Sequence, residues 1–569
     1  MENMMEELKN NINTALGNKK ADIVLKNALI VNVFNQTIEK DDIAINGDTI
    51  IGVGNYSGEK EIDCTGCFIS PGFIDSHVHV ESSKVTPEIF SHILIRKGVT
   101  TCIADPHEIA NVLGQNGIKF MLDNSKKSVI DMFFMLPSCV PALDIEDNGA
   151  VLNSEDLGEF IDDNRILGLG EVMDVPAVVH GQRDMLSKLI LFRNKIIDGH
   201  CPQINNPWLN AYMNCGIITD HECTTNDQAL EKIKKGMYVM LRQGSAARNL
   251  RDLLPAVNSE NFHRFLFCTD DKDIVDLVEK GSIDDCIRIA VKEGLDVVKA
   301  ITIATLNPAE CYGLKGRGAI APGYKADLVI LEDLNNVKIK DVIRNGKVYN
   351  EKLDNKFNTA IKPSMNIECI KEDVLKIKAK SNKLNVIKII PDSIETQRVI
   401  KEATVKNGYV DQVCSPDVLK VAVFERHKKT GKYSIGFIEG LGIKDCAIAQ
   451  TIAHDSHNII AVGSNDKDIE VAVNSIITIG GGVAVASGGK LIEQLSLPIG
   501  GLMTFKETNY VIDKIKRLNH ICKQYGMRED MDIFLTLGFM ALPVIPEIRI
   551  TARGLFEFNE NKFIELFCI

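Results

Sequence analysis

No apolar run in the 569 residues approaches the ~20 residues that a membrane-spanning helix needs, so none is expected. The first twenty residues, MENMMEELKNNINTALGNKK, lack an apolar core, and no secretory leader is expected. An excess of positive charge is also missing. Lys and Arg number 65 against 77 Asp and Glu, and the net charge of −12 argues against a nucleic-acid polymer or an anionic membrane as partner. The 15 cysteines are odd in number and scattered. Their one close pair, Cys64-x-x-Cys67, has no second such pair, which suits a reducing cytoplasm better than a disulfide framework. No Gly-x-Gly-x-x-Gly loop follows the first barrel strand, which weakens an open doubly wound sheet. No Pro-Cys-x-x-Cys occurs, so the zinc deaminase design built on that motif is excluded.

What is present is the composition of a soluble globular protein, 45% hydrophobic and 25% charged, long enough for two to four domains. Its organising stretch is Pro71-Gly72-Phe73-Ile74-Asp75-Ser76-His77-Val78-His79-Val80-Glu81. Residues two apart in a strand share a face, so His77 and His79 present two imidazoles side by side. Alternating histidines alone are more often ordinary packing residues than metal ligands. The rest of the chain changes the odds. Strand patterns recur at Phe73–Val80, Gly98–Ala104, Val129–Leu136, Arg165–Val172, Lys195–Asp198, Gly216–Thr219, Tyr238–Leu241 and Phe265–Cys268. Helical patterns such as Pro176–Arg193, Asn226–Lys235 and Ser282–Leu306 lie between or after them. This alternation predicts an α/β fold, a (β/α)8 TIM-like barrel over residues 71–315.

Short strands over 21–70 and a similar pattern over 316–358 predict a β-sandwich built from the segments flanking the barrel. Residues 1–20 form an N-terminal segment. From residue 359 to 569 the character changes again, and a C-terminal α/β domain is expected. There Gly480-Gly481-Gly482 reads as a turn, because no Walker spacing follows it. Ile452-Ala453-His454-Asp455-Ser456-His457-Asn458 reads as a turn or a cap over the barrel mouth in preference to another metal site. His427, between Arg426 and Lys428, reads as solvated.

Six of the eight strand ends carry His, Asp or Glu, and barrels gather those ends on one face. His77, His79, Glu171, His200, His221 and Asp270 offer six nitrogen and oxygen ligands. That is too many for one tetrahedral zinc and right for two metals sharing a bridge. The set has no thiolate and suits Mn, Fe or Zn.

PGFIDSHVH, His200, His221 and Asp270 resemble the amidohydrolase superfamily of metal-dependent hydrolases. More narrowly, PGFIDSHVHVESS, ADPHEIANVLG, MLPSCVPA, LGLGEVMDVP, DGHCP, TDHE, LRQGSAARNL and FCTDD resemble the bacterial adenine deaminases, from about residue 20 to the C-terminus. The resemblance implies hydrolysis of adenine to hypoxanthine and ammonia in purine salvage, by a hydroxide bridging two divalent metals, Mn foremost. It implies His77 and His79 on the more buried metal, Glu171 as bridge, His200 and His221 on the second metal, and Asp270 touching metal and moving protons. A homodimer or larger homo-oligomer is also implied. Gln243 departs from the acid that related sequences carry in R-E-G-S, and no proton-transfer role is given to it.

A second group must protonate the ring nitrogen, and His107, Glu108 and Glu222 are candidates. The plainer account of each, a salt bridge or a partner orienting a ligand histidine, is favoured for Glu222 and Asp271 and is even for His107 and Glu108. Ser138, Arg242, Ser245 and His457 are candidate substrate contacts, Ser245 having the alternative of capping a helix. Two other readings stand beside the deaminase. One is a hydrolase of another cyclic amide or amidine on the same ligands, the other a non-catalytic assembly protein on the same fold, whose mark would be a missing ligand.

Overall fold

The structure is a computed structural model that describes residues 2–351, 363–391, 393–413, 415, 417–529 and 531–568. The expected boundary between residues 358 and 359 lies outside the described residues.

Eight parallel strands build the centre. Phe73–Val78 (β1), Val99–Ala104 (β2), Asp131–Leu136 (β3), Ile166–Val172 (β4) and Ile196–Gly199 (β5) form a five-stranded sheet in chain order. Thr219–Asp220 (β6), Tyr238–Arg242 (β7) and Phe265–Cys268 (β8) form a three-stranded one. Main-chain hydrogen bonds join the two: Ile218 N donates to Ile197 O at 3.1 Å, and Asp270 N to His77 O at 2.9 Å. This is a TIM-type arrangement. β1 and β2 are buried throughout, as strands covered on both faces must be. Two expected helices are broken. Pro176–Arg193 is Val175–Val179 and Arg183–Leu191, and Ser282–Leu306 is Ile283–Lys292, Val297–Ala304 and the start of Leu306–Cys311. Gly181 and Gly294, at φ +67° and +101°, turn the chain where the helical pattern runs on.

The flanking segments meet as expected: the strands after residue 316 complete the sheet begun before the barrel, in one continuous eight-stranded sheet. The long strand Ala21–Asn32 pairs on one side with Thr37–Asn46 and on the other with Gly58–Asp63 and then Phe68–Pro71. Leu328–Asp333 returns from the far side of the barrel and pairs antiparallel with Phe68–Pro71. A bulge between Leu25 and Ala28 bends the long strand, and the sheet encloses its own core of Leu25, Ile43, Ile69 and Leu328.

The C-terminal part carries a nine-stranded sheet. Among its central strands Val418–Phe424 pairs antiparallel with Tyr433–Glu439 and Ile459–Gly463, while Lys383–Ile389 pairs parallel with Tyr433–Glu439. All the other pairings are antiparallel, so the expected α/β domain is instead a mostly antiparallel sheet with helices. Asp466–Thr478 packs on one face, and Thr508–Gln524 lies between the sheet and the barrel helix Ile274–Glu279. Gly482 follows the expected turn at φ +137°, and a Cβ there would meet Leu495 O at 1.9 Å. No helix of the described residues is long and apolar enough to cross a membrane.

Candidate metal centre

Four strand ends converge on one carboxylate. Glu171, at the end of β4, places Oε1 3.1 Å from His77 Nε2 and 3.0 Å from His79 Nε2, both from the end of β1. Its Oε2 lies 2.9 Å from His200 Nδ1 and 3.3 Å from His221 Nε2, which follow β5 and β6. Each oxygen thus faces one pair of histidines. Asp270, after β8 and in the left-handed region at φ 54°, joins the first pair, with Oδ1 3.0 Å from His79 Nε2 and 3.5 Å from His77 Nε2. All six residues are buried except His200, which is partly so.

The residues fit cations. Ligand atoms about 2.1 Å from a common divalent ion stand about 3.0–3.5 Å apart, and these pairs fall in that range except His200 Nδ1 to Glu171 Oε2, at 2.9 Å a direct hydrogen-bond distance. His77 Nε2 and His79 Nε2 are 3.2 Å apart, and Glu171 Oε1 has no hydrogen-bond partner among the described residues. His79 Nδ1 binds Asp105 O at 3.0 Å, which turns its Nε2 to the cluster. Burial pushes the Glu171 carboxyl up, but the charges of His77 and His221 and the hydrogen bond with His200 outweigh it and hold it well below the ordinary range. Burial likewise opposes ionisation of Asp270, and Arg242 overcomes it. Both carboxyls are therefore held in the charged form that a cation would favour.

The other anticipated residues have definite places. His107 begins the helix His107–Leu113 after β2, with Nδ1 3.5 Å from Glu171 Oε1 and 3.6 Å from Asp105 Oδ1. Glu108 has Oε1 3.6 Å from His107 Nε2, and both its oxygens meet the C-terminal part. His454 Nδ1 meets its Oε1 at 2.5 Å, and His457 Nε2 meets its Oε2. The 452–458 stretch therefore reaches the barrel. Neither ring nitrogen of His457 is left for substrate, because Nδ1 accepts from Ala453 N at 3.2 Å, so the substrate-contact expectation is corrected here. Arg242 Nη1 bonds Glu222 and, at 2.7 Å, Asp270 Oδ2, which ties it to a carboxylate of the candidate cluster. Glu222 thus has the salt-bridge place anticipated for it, and Asp271 accepts from Ser82 Oγ. Ser138 Oγ donates to Glu171 O beneath the site. Ser245 Oγ donates to Asp276 Oδ2 at 2.8 Å and accepts from Asp273 N at 2.9 Å, so it ties down the start of Ile274–Glu279 and caps no helix of its own. His427, expected in solvent, is buried, with Nε2 2.7 Å from Ser456 O.

Sequence reasoning missed Lys232, on the helix Asn226–Lys234. Its Nζ bonds Asp220 Oδ2 at 2.8 Å and Cys201 O at 2.7 Å, while Asp220 Oδ1 accepts from Cys201 N at 2.8 Å. This buried pair knits together the loops that carry His200 and His221. A lysine among Lys234 and Lys235 gives no sequence signal of burial.

The barrel and its carboxylate-bridged histidines define a metal-dependent hydrolase, and residues 68–349 match the Amidohydrolase family. Residues 393–562 match the adenine deaminase C-terminal domain. An adenine deaminase of Clostridium acetobutylicum is 47% identical over 97% of this chain and 99% of its own length. One of Geobacillus kaustophilus is 44% identical over 99% of both. The chain belongs to the adenine deaminase family.

Proposed function

We propose that this chain hydrolyses adenine to hypoxanthine and ammonia, and that His77, His79, Glu171, His200, His221 and Asp270 would hold two divalent cations. One observation carries the reading: Glu171 divides its two oxygens between two histidine pairs. Bound there, the cations supply hydroxide at neutral pH, and Mn, Fe or Zn suits the nitrogen and oxygen donors.

The chain's residues do the rest. Water oxygen is added at C6 of adenine and the exocyclic nitrogen leaves as ammonia. Asp270, kept ionised by Arg242, takes a proton at Oδ1 and returns it to the departing amine. His107 delivers a proton to the ring nitrogen and is recharged by the other proton of the same water, so that both water protons are accounted for. Although burial works against its charge, the neighbouring Glu108 carboxylate holds it protonated well above the ordinary histidine range. Glu108 accepts at both oxygens and serves as the fixed anion behind His107. We read residues 71–315 as a closed (β/α)8 barrel, 21–70 with 316–358 as its companion domain, and 359–569 as a cap. The described cysteines are all unpaired, which suits purine salvage in a reducing cytoplasm, by a homodimer.

Protein produced in Mn(II) without added zinc is assayed for metal per chain and for adenine by ultraviolet absorbance. Two metals and conversion to hypoxanthine are expected. Two metals with adenine untouched moves the substrate to another cyclic amide or amidine. No metal and no turnover overturns the proposal.

A further inference from the structure

Glu108, His454 and His457 form a second buried group of potential ligands, brought together from the barrel and the C-terminal sheet, and the catalytic cluster does not include them. Their spacing differs from that of the metal centre. His454 Nδ1 stands 2.5 Å from Glu108 Oε1, within direct hydrogen-bond reach, and His457 Nε2 contacts Glu108 Oε2. These are direct hydrogen bonds. The tautomer of His457 follows from its surroundings: Nδ1 accepts the Ala453 N–H, so Nε2 carries the proton and donates to Glu108.

We propose that His454 and His457 are positioning residues for the deamination: they clamp the Glu108 carboxylate, one donor on each oxygen, and so fix the anion that faces His107. The clamp rests on the reading above, in which His107 serves the purine. His107 Nε2 lies 3.6 Å from Glu108 Oε1, and its Nδ1 faces Glu171, so a Glu108 free to rotate would no longer fix the imidazole between them.

The clamp is itself braced. Arg426, fully buried, donates from Nε to His457 O, from Nη1 to Ser364 O at 3.0 Å and from Nη2 to Gly500 O at 2.8 Å. His454 N donates to Gly538 O at 3.0 Å, and its ring stacks on Phe539 with centroids 4.5 Å apart. Asn458 Nδ2 reaches the barrel-side Asp147 O at 3.0 Å. The segment is thus held on both sides before any substrate arrives, as a positioning element must be. His454 also lines the cavity between Ser82, Lys84 and Asp271 at the barrel mouth and Ile452 and Phe534 of the C-terminal part. The C-terminal segment therefore contributes both a wall beside the mouth and the fixing of a charge within it.

The test is a double-mutant cycle of His457→Ala and Glu108→Gln, with His457→Gln as the variant that retains an N–H donor. The expected result is a fall in kcat/KM of roughly 10–100-fold for His457→Ala, the range for a lost orienting partner. It falls in kcat more than in KM, metal content is unchanged, and His457→Gln recovers most of the activity. In the Glu108→Gln background His457→Ala should change kcat/KM less than twofold. Losses that multiply across the two sites overturn the clamp. So does a third cation in the wild type that His457→Ala removes. The same four proteins compared by thermal unfolding read the coupling without turnover. Wild-type protein inert toward adenine thus sinks the deaminase reading alone, while additive shifts in melting temperature sink the clamp alone.

Discussion

Replacing Lys232 by Met should strip the second half of the metal centre while leaving the first. Lys232 is 2% exposed and its partner Asp220 is fully buried, so removal of the ammonium leaves a buried carboxylate without the cation bonded to it. Breaking a buried pair from one side costs about 3–5 kcal/mol. Spread over a barrel of this size, that lowers the melting temperature by on the order of 10 °C. The damage is local in a second way. Lys232 and Asp220 between them hold both the N–H and the carbonyl of Cys201, next to His200, and Asp220 precedes His221. With the knot untied, these two ligands lose their fixed spacing while His77, His79 and Asp270 keep theirs. Metal counting after dialysis should give about one cation per chain, with adenine turnover down at least 100-fold, the upper end of what lost supporting partners cost. The double variant Lys232→Met with Asp220→Asn removes the stranded charge and should regain most of the melting temperature but not the second cation. A Lys232→Met protein with two tight cations and a wild-type melting curve would refute the reasoning.

Glu171→Ala should remove the bridge and lower metal content at both positions together, as read by metal analysis; loss of one cation only would mean that Glu171 serves a single site. Asp131 receives Arg344 Nη2 at 2.6 Å, Arg317 Nη2 at 2.5 Å and Lys325 Nζ at 2.8 Å. Burial raises its pKa, but these three cations outweigh it and bring it down to about 2. A depressed carboxylate stabilises above its unfolded pKa, and that contribution, about 2 kcal/mol, is lost as pH falls from about 4 to 2. Asp131→Asn should therefore flatten the fall in stability over that window in acid titrations followed by circular dichroism, and parallel curves would contradict the assignment.

The candidate ligands can be picked out in the sequence because each sits at a strand end, where an apolar run stops at a histidine or acid, as in Phe265–Cys268 running into Thr269-Asp270. The barrel strands are legible for the same reason, with ends off by a residue or two except at β6, whose expected start lies three residues early. β6 was placed early because only Thr219 and Asp220 pair within it. What stayed hidden depends on contacts between distant segments. Glu108 is 346 residues from His454, and no local pattern reports that they meet. The charged neighbours of His427 suggest solvent, yet Arg426 beside it is itself fully buried and only Lys428 is exposed. The C-terminal topology was misread because an antiparallel sheet with two covering helices produces the same mixture of short apolar runs and helical stretches as a parallel one.

The eight-stranded sheet has a consequence for how the molecule is made. Ala21–Asn32 finds its partners Thr37–Asn46, Gly58–Asp63 and Phe68–Pro71 within a few dozen residues, so this half assembles soon after it leaves the ribosome. The other side of Phe68–Pro71 has to wait for Leu328, about 250 residues later. At roughly 5–20 residues per second that is on the order of 10–50 s, during which a strand edge stands open while the barrel emerges beside it. A nascent chain halted before residue 328 has nothing to cover that edge, and this interval is where the protein is most exposed to pairing with a stranger.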